Sequence, residues 1–191
     1  MKIVILGFPT RSRRGNALAT TYRNLVRELE TRGHEVLFLE RGASGASERR
    51  KTVKAKNAKI QVYRSVSELK SRYAPIVREA HVVIVGSFAP EGADVGQWVT
   101  RVANGVTAFY DGDTSETLAR LEHGAAHPLT RSLVPKYDLY LSVTGGPALE
   151  KLQKEYRAPM ARELNPQDSA AHRAAQLERY VAEARSGQLM S

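Results

Sequence analysis

The sequence predicts an α/β fold: an open, mostly parallel sheet of about six strands, with helices on both faces and a further helix at the C-terminal end. Three observations carry this. Short, nearly unbroken apolar runs recur along the chain, as expected of strands covered on both faces. Between them lie segments whose apolar residues repeat at helical spacing. The two kinds alternate, which fits right-handed β-α-β crossovers within one layer. The result is a Rossmann-like sheet.

The first run is "KIVILG" (2–7). Preceded only by Met1, it is too brief for the apolar core of a secretory signal and reads as a strand. "NALATTYRNLVRELETRG" (16–33) then sets Leu18, Tyr22, Leu25, Val26 and Leu29 on one stripe, with Gly33 as the stop. "EVLFLE" (35–40) is a second strand and "IQVYRS" (60–65) a weaker one. "SVSELKSRYAPIVREA" (65–80) opens with a Ser-x-x-Glu start at Ser65 and Glu68, and Pro75 predicts a kink or split. "HVVIVGS" (81–87), "VTAFYD" (106–111) and "YDLYLSV" (137–143) complete the strands. "GADVGQWVTRVANG" (92–105), "TSETLARLEHG" (114–124) and "GGPALEKLQKEYRA" (145–158) are the helices among them. After "EYRAPMARELNPQD" the pattern changes. "SAAHRAAQLERYVAEARSG" (169–187) aligns Leu177, Tyr180, Val181 and Ala184, a stripe that either packs back on the sheet or meets another chain. The expected division is a domain over 1–165 and an amphipathic tail over 166–191.

A chain of 191 residues suits one domain with a real core. No apolar run approaches the roughly 20 residues that span a bilayer. The absence of cysteine excludes disulfides, thiolate metal sites and thiol nucleophiles, and with no export signal the expected location is cytoplasmic. The net charge of +9 is uneven: residues 1–72 carry 17 Lys/Arg against 6 Asp/Glu (+11), and the remainder carries 12 against 14 (−2). An anionic partner is one reading of that asymmetry. The densest block, "ERRKTVKAKNAK" (48–59), has no aromatic residue on which bases could stack, so a nucleic-acid partner is disfavoured and a solvated loop preferred.

In an open parallel sheet, ligands gather outside the carboxyl ends of the strands. The first such loop, "GFPTRSRRGNALATTYR", lacks G-x-G-x-x-G, since Gly7 and Gly15 lie eight apart. Gly15 and Asn16 nevertheless stand at a helix start that favours an anion, beside Arg11, Arg13 and Arg14; a plain N-cap explains Asn16 equally well. "YDGDTSE" offers Asp111 and Asp113. Asp-x-Asp after a strand is one pattern for Mg²⁺ or Mn²⁺, but a helix starts here, so Asp113 or Thr114 reads as its cap and Asp111 as the ligand contact. No metal is expected. "TGGPALEKL" places Gly145 and Gly146 at a strand-to-helix turn where backbone and ligand can approach closely. His123 and His127 lack an H-E-x-x-H frame, and no Gly-x-Ser-x-Gly elbow exists.

"GNALATTYRNLVRELETRGHEVLFLER", "RYAPIVREAHVVIVGSFAPEGADVGQWV", "GVTAFYDGDTSETLARL" and "YDLYLSVTGGPALEKLQKEYRAP" together resemble the amino-terminal half of CgeB-like (spore-maturation type) glycosyltransferases, over roughly residues 1–160. The resemblance implies GT-B architecture: two Rossmann-like domains across a cleft, the first mostly on the acceptor side, the second gripping the nucleotide sugar, with no metal or other cofactor required. Two departures stand out. The family's first loop carries Gly-Asn-Gly-His-Ala-Thr where this chain has "GNALAT", so Leu18 replaces a histidine able to act as a base toward an acceptor hydroxyl. The family chain also continues into its second domain near "RELNPQD", whereas this sequence ends about 25 residues later.

The expectation is a glycosyltransferase-like protein, the acceptor-side half, completed by a second-domain chain or by a homodimer. Its ligand is a nucleotide sugar or a sugar acceptor. Asp111 is the candidate base, and Gly15, Asn16, Ser87, Asp113, Thr114, Gly145 and Gly146 are candidate binding residues. The alternative is a non-catalytic Rossmann-like module that binds a sugar, a nucleotide or a protein.

Overall fold

The computed structural model describes residues 1–7, 17–42, 59–124 and 128–188, with backbone alone at 17–19. The elements run β1 (Lys2–Leu6), α1 (Ala17–Thr31), β2 (Glu35–Arg41), β3 (Lys59–Tyr63), α2 (Val66–Glu79), β4 (Val82–Gly86), α3 (Gly92–Val102), β5 (Val106–Asp111) and α4 (Thr114–Glu122). After a 3₁₀ turn at Val134–Lys136 follow β6 (Leu139–Ser142), α5 (Pro147–Lys154), β7 (Ala161–Glu163) and α6 (Ala170–Gln188). All pairings are parallel, in the order β3-β2-β1-β4-β5-β6-β7. This is the open α/β Rossmann-like sheet that the alternation of runs predicts, with its topological switch between β1 and β4.

Two elements differ from expectation. The sheet has seven strands; β7 has the sequence Ala-Arg-Glu and no apolar run to announce it. Helix α2 continues through Pro75 without splitting. Proline removes one backbone donor there, but Leu69, Tyr73 and Val77 are buried along the length of the helix and hold both halves on the sheet.

The two faces bury separate cores. Val4, Leu6, Val83, Val85 and Phe109 meet α2, α3 and α4 on one face, with Tyr137 packed alongside. Ile3, Ile5, Ile84 and Tyr110 meet α1 and α6 on the other. The stripe of α6 is therefore spent inside this chain: Leu177, Tyr180, Val181 and Ala184 are all buried in that second core. Arg173 pins its first turn. The guanidinium is 3% exposed and donates to the carbonyls of Asp168 (3.2 Å) and Thr21 (3.3 Å), tying α6 to α1. Among the described residues, no helix is long and apolar enough to cross a membrane.

One backbone contact fixes the switch point. Gly7, with φ +77°, lies directly against Ala89 from the corner after β4, so a Cβ at position 7 would overlap the Ala89 backbone. Gly124 also has positive φ (+70°), but among the described residues nothing lies within 4 Å of where its Cβ would stand. Gly124→Ala is expected to cost about 1 kcal/mol from conformation alone, whereas Gly7→Ala adds overpacking and costs about 2–4 kcal/mol. Urea denaturation of the two variants checks the difference.

Candidate functional site

The corners after β4, β5, β6 and β7 form one edge. Asp111 pairs with Ser142 and Ser142 with Glu163, so the three residues stand in a single row at the strand ends. Parallel register sends their side chains to the same face, the face on which Phe109 and Tyr140 are buried.

Ser87 joins the first two corners. Its N–H donates to the Tyr110 carbonyl at 2.9 Å, and its Oγ accepts from the Gly112 N–H at 3.0 Å. Phe88, the next residue, turns outward. Its Cε2 edge rests over Gly112, where a Cβ would come within 2.7 Å of the ring.

Asp111 does not face a cleft. It is 0% exposed. Oδ1 accepts from the Asp113 N–H at 3.1 Å and from Thr117 Oγ1 at 2.9 Å, and Oδ2 accepts from the Tyr140 hydroxyl at 2.6 Å. Burial raises its pKa, while the bonds from Tyr140, the Asp113 backbone and Thr117 pull the other way. The same burial, with Asp111 beside it, holds the Tyr140 hydroxyl well above its ordinary range. A base must reach the proton it removes. The carboxylate is enclosed by these three donors, and in this position it is a bracket between β5, β6 and α4.

The remaining candidates divide by exposure. Asp113 is exposed and caps α4, its Oδ1 accepting from the Glu116 N–H at 3.1 Å. Asp111 and Asp113 thus point to separate tasks and share no cation position. Thr114 is 1% exposed, and its hydroxyl bonds Ser142 Oγ at 2.8 Å beneath the rim. Ser142 Oγ in turn bonds the Thr144 carbonyl and accepts from the Thr144 N–H at 3.0 Å, shaping the β6 corner. Gly146, with φ +64°, opens α5 ahead of Pro147. Gly145 lies against the carboxylate of Glu163, which also accepts from Asn165 Nδ2 at 3.2 Å. Gly15 and Asn16 lie outside the described residues, as do Arg11, Arg13, Arg14 and most of the 48–59 block.

Ser87, Asp113, Gly145 and Gly146 therefore lie on one edge, while Asp111 and Thr114 sit below it. Phe88, Thr144 and Glu163 join the rim without having been signalled. For Phe88 and Thr144 the exposure depends on how the corners fold; for Glu163 the missing signal is β7 itself. Among the described residues, no group of three or more His, Asp or Glu side chains is placed to hold a metal ion.

No protein-family model matches the chain, and no curated protein does. Among solved structures, a sucrose-phosphate synthase from Thermosynechococcus elongatus is similar at TM-score 0.55 and 12% identity, over 96% of this chain and 98% of that chain. A shikimate dehydrogenase from Thermotoga maritima covers 100% of this chain and 57% of that one at TM-score 0.31 and 11% identity, too loose a superposition to carry an argument. At these identities the likeness to the sucrose-phosphate synthase chain is one of fold.

Proposed function

We propose that this chain is the acceptor-side half of a GT-B-type glycosyltransferase of the CgeB-like kind, with a second Rossmann-like domain or chain supplying the donor side. The observation that carries the reading is the solved chain with which it shares its fold over nearly all of both lengths: that chain belongs to an enzyme named for making a sugar phosphate. The four ordered motifs of the sequence point the same way. The edge adds chemical support, since its exposed groups are hydroxyl and carboxylate side chains suited to sugar hydroxyls. At the switch point Ala89 packs directly on Gly7.

Asp111 favours a second reading. With its carboxylate bracketed, the described rim offers no base in the position assigned to Asp111, which suits a binding module without turnover of its own. Nucleotide sugars separate the two. Under the first reading, a panel of nucleotide sugars raises the melting temperature of the assembly completed with the second half, because a ligand that binds the native state stabilises it, and transfer or donor hydrolysis follows there. Binding without turnover in the completed assembly selects the module. No shift with any donor, with or without the second half, removes the glycosyltransferase reading.

The bracket makes its own prediction. Asp111→Ala strands the Tyr140 and Thr117 hydroxyls and the Asp113 N–H, and is expected to cost about 2–4 kcal/mol in urea denaturation. Asp111→Asn retains one acceptor oxygen and gives up less. Because burial raises the folded-state pKa of Asp111, its contribution is fully present below the unfolded value of 3.8 and is lost as pH rises through the folded value. Relative to wild type, Asp111→Asn therefore gains stability as pH climbs from 4 toward neutrality. An unchanged difference across that range contradicts the assignment.

A further inference from the structure

We propose that Phe88 is the stacking platform of a sugar subsite on the β4–β5 rim, taking the C–H face of a pyranose ring. The inference deepens the acceptor-side reading and rests on it.

Phe88 is 48% exposed, the most exposed large apolar side chain among the described residues. Burying such a side chain stabilises a fold, and this position forgoes much of that gain. The ring is nevertheless held. Gly112 lies beneath its Cε2 and Cζ atoms, and any side chain at 112 would displace it. The Ser87 bond to the Gly112 N–H locks the two corners together. The ring is thus held by backbone at its Cε2–Cζ edge while nearly half of the side chain stays exposed, a held but open aromatic of the kind that serves as a stacking platform.

The neighbouring groups select the ligand. Asp113 follows Gly112 and is exposed, Thr144 is exposed at the β6 corner, and the Glu163 carboxylate stands at the end of β7. Adjacent corners are about 4.8 Å apart, a separation that the hydroxyls of one or two sugar rings can bridge. Carboxylates accept hydrogen bonds from sugar hydroxyls and repel phosphates placed beside them. A neutral sugar face fits this rim, and a nucleoside diphosphate does not.

Saturation-transfer NMR on the full chain tests this, with the methyl glycosides of glucose, galactose, mannose and N-acetylglucosamine as one arm and uridine and guanosine diphosphates as the other. At least one glycoside is expected to receive saturation at its ring C–H protons. Phe88→Ala should weaken that binding by about tenfold or more, with the melting temperature kept, and Phe88→Tyr should preserve it. Phe88→Leu, apolar but not flat, is the second variant and should lose binding as alanine does. Equal binding by Phe88→Ala or Phe88→Leu overturns the platform, as does a loss confined to the diphosphates. If wild type binds no glycoside, this subsite is wrong, and the wider reading still stands or falls on nucleotide-sugar binding by the completed assembly.

Discussion

The carboxyl edge depends on one buried charge. Taking Asp111 out of water is costly, and the three donors that converge on it offset part of that cost. They come from three parts of the chain: the turn at Asp113, helix α4 at Thr117 and strand β6 at Tyr140. A single carboxylate therefore fixes the height of α4 over β5, the spacing of β5 and β6, and the direction of the chain at Gly112. The Thr114–Ser142 bond adds a second tie in the next layer. Phe88 lies on Gly112, so the shape of the rim passes back through that glycine to the bracket.

The faces beneath are packed with unusual chemistry. All eight tyrosines are buried. Tyr22 and Tyr110 meet edge to face, with centroids 5.2 Å apart, under α1 and α6; Phe109 sits between Tyr137 and Tyr140 on the opposite face, at 5.6 and 5.4 Å. Tyrosine in a core supplies area but carries a hydroxyl that must be accommodated. Tyr140 spends its hydroxyl on Asp111. Tyr137 fits its own against Gly96, where any side chain would collide with it. Burial, outweighing Arg41 and Arg173 nearby, pushes the Tyr63 and Tyr110 hydroxyls up to about 12, so they stay neutral across the physiological range. Two covered faces with such fixed geometry leave the strand ends as the place where the surface can vary.

The strands and helices were legible because burial on both faces demands apolar runs, and helices over such a sheet demand stripes. The same double burial hid the site. In a one-sided sheet, alternation would reveal which way Asp111 points; here both parities are apolar, and only the register with Tyr140 shows that it turns under α4. The cap at Asp113 was legible from the helix start that follows it, whereas Asp111, expected as a ligand contact, braces that helix from below. Glu163 and the Gly145 corner it faces could not be joined without β7, whose three residues carry no pattern. Phe88 stands among residues that read as loop, and whether an aromatic there is buried is decided by the corner's fold.

That corner is itself held by packing more than by charge. Glu91 adopts a left-handed conformation at φ 56°, which costs a side chain roughly 1–2 kcal/mol. Its ion pair with Arg41, at 3.3 Å between side chains 25% and 45% exposed, returns at most about 1 kcal/mol. The balance must come from elsewhere, and Ala89 provides it: fully buried, seated on Gly7, with its N–H bonded to the Gly86 carbonyl at 3.0 Å. The Ala89–Gly7 contact thus anchors residues 87–91, the corner from which Phe88 turns outward.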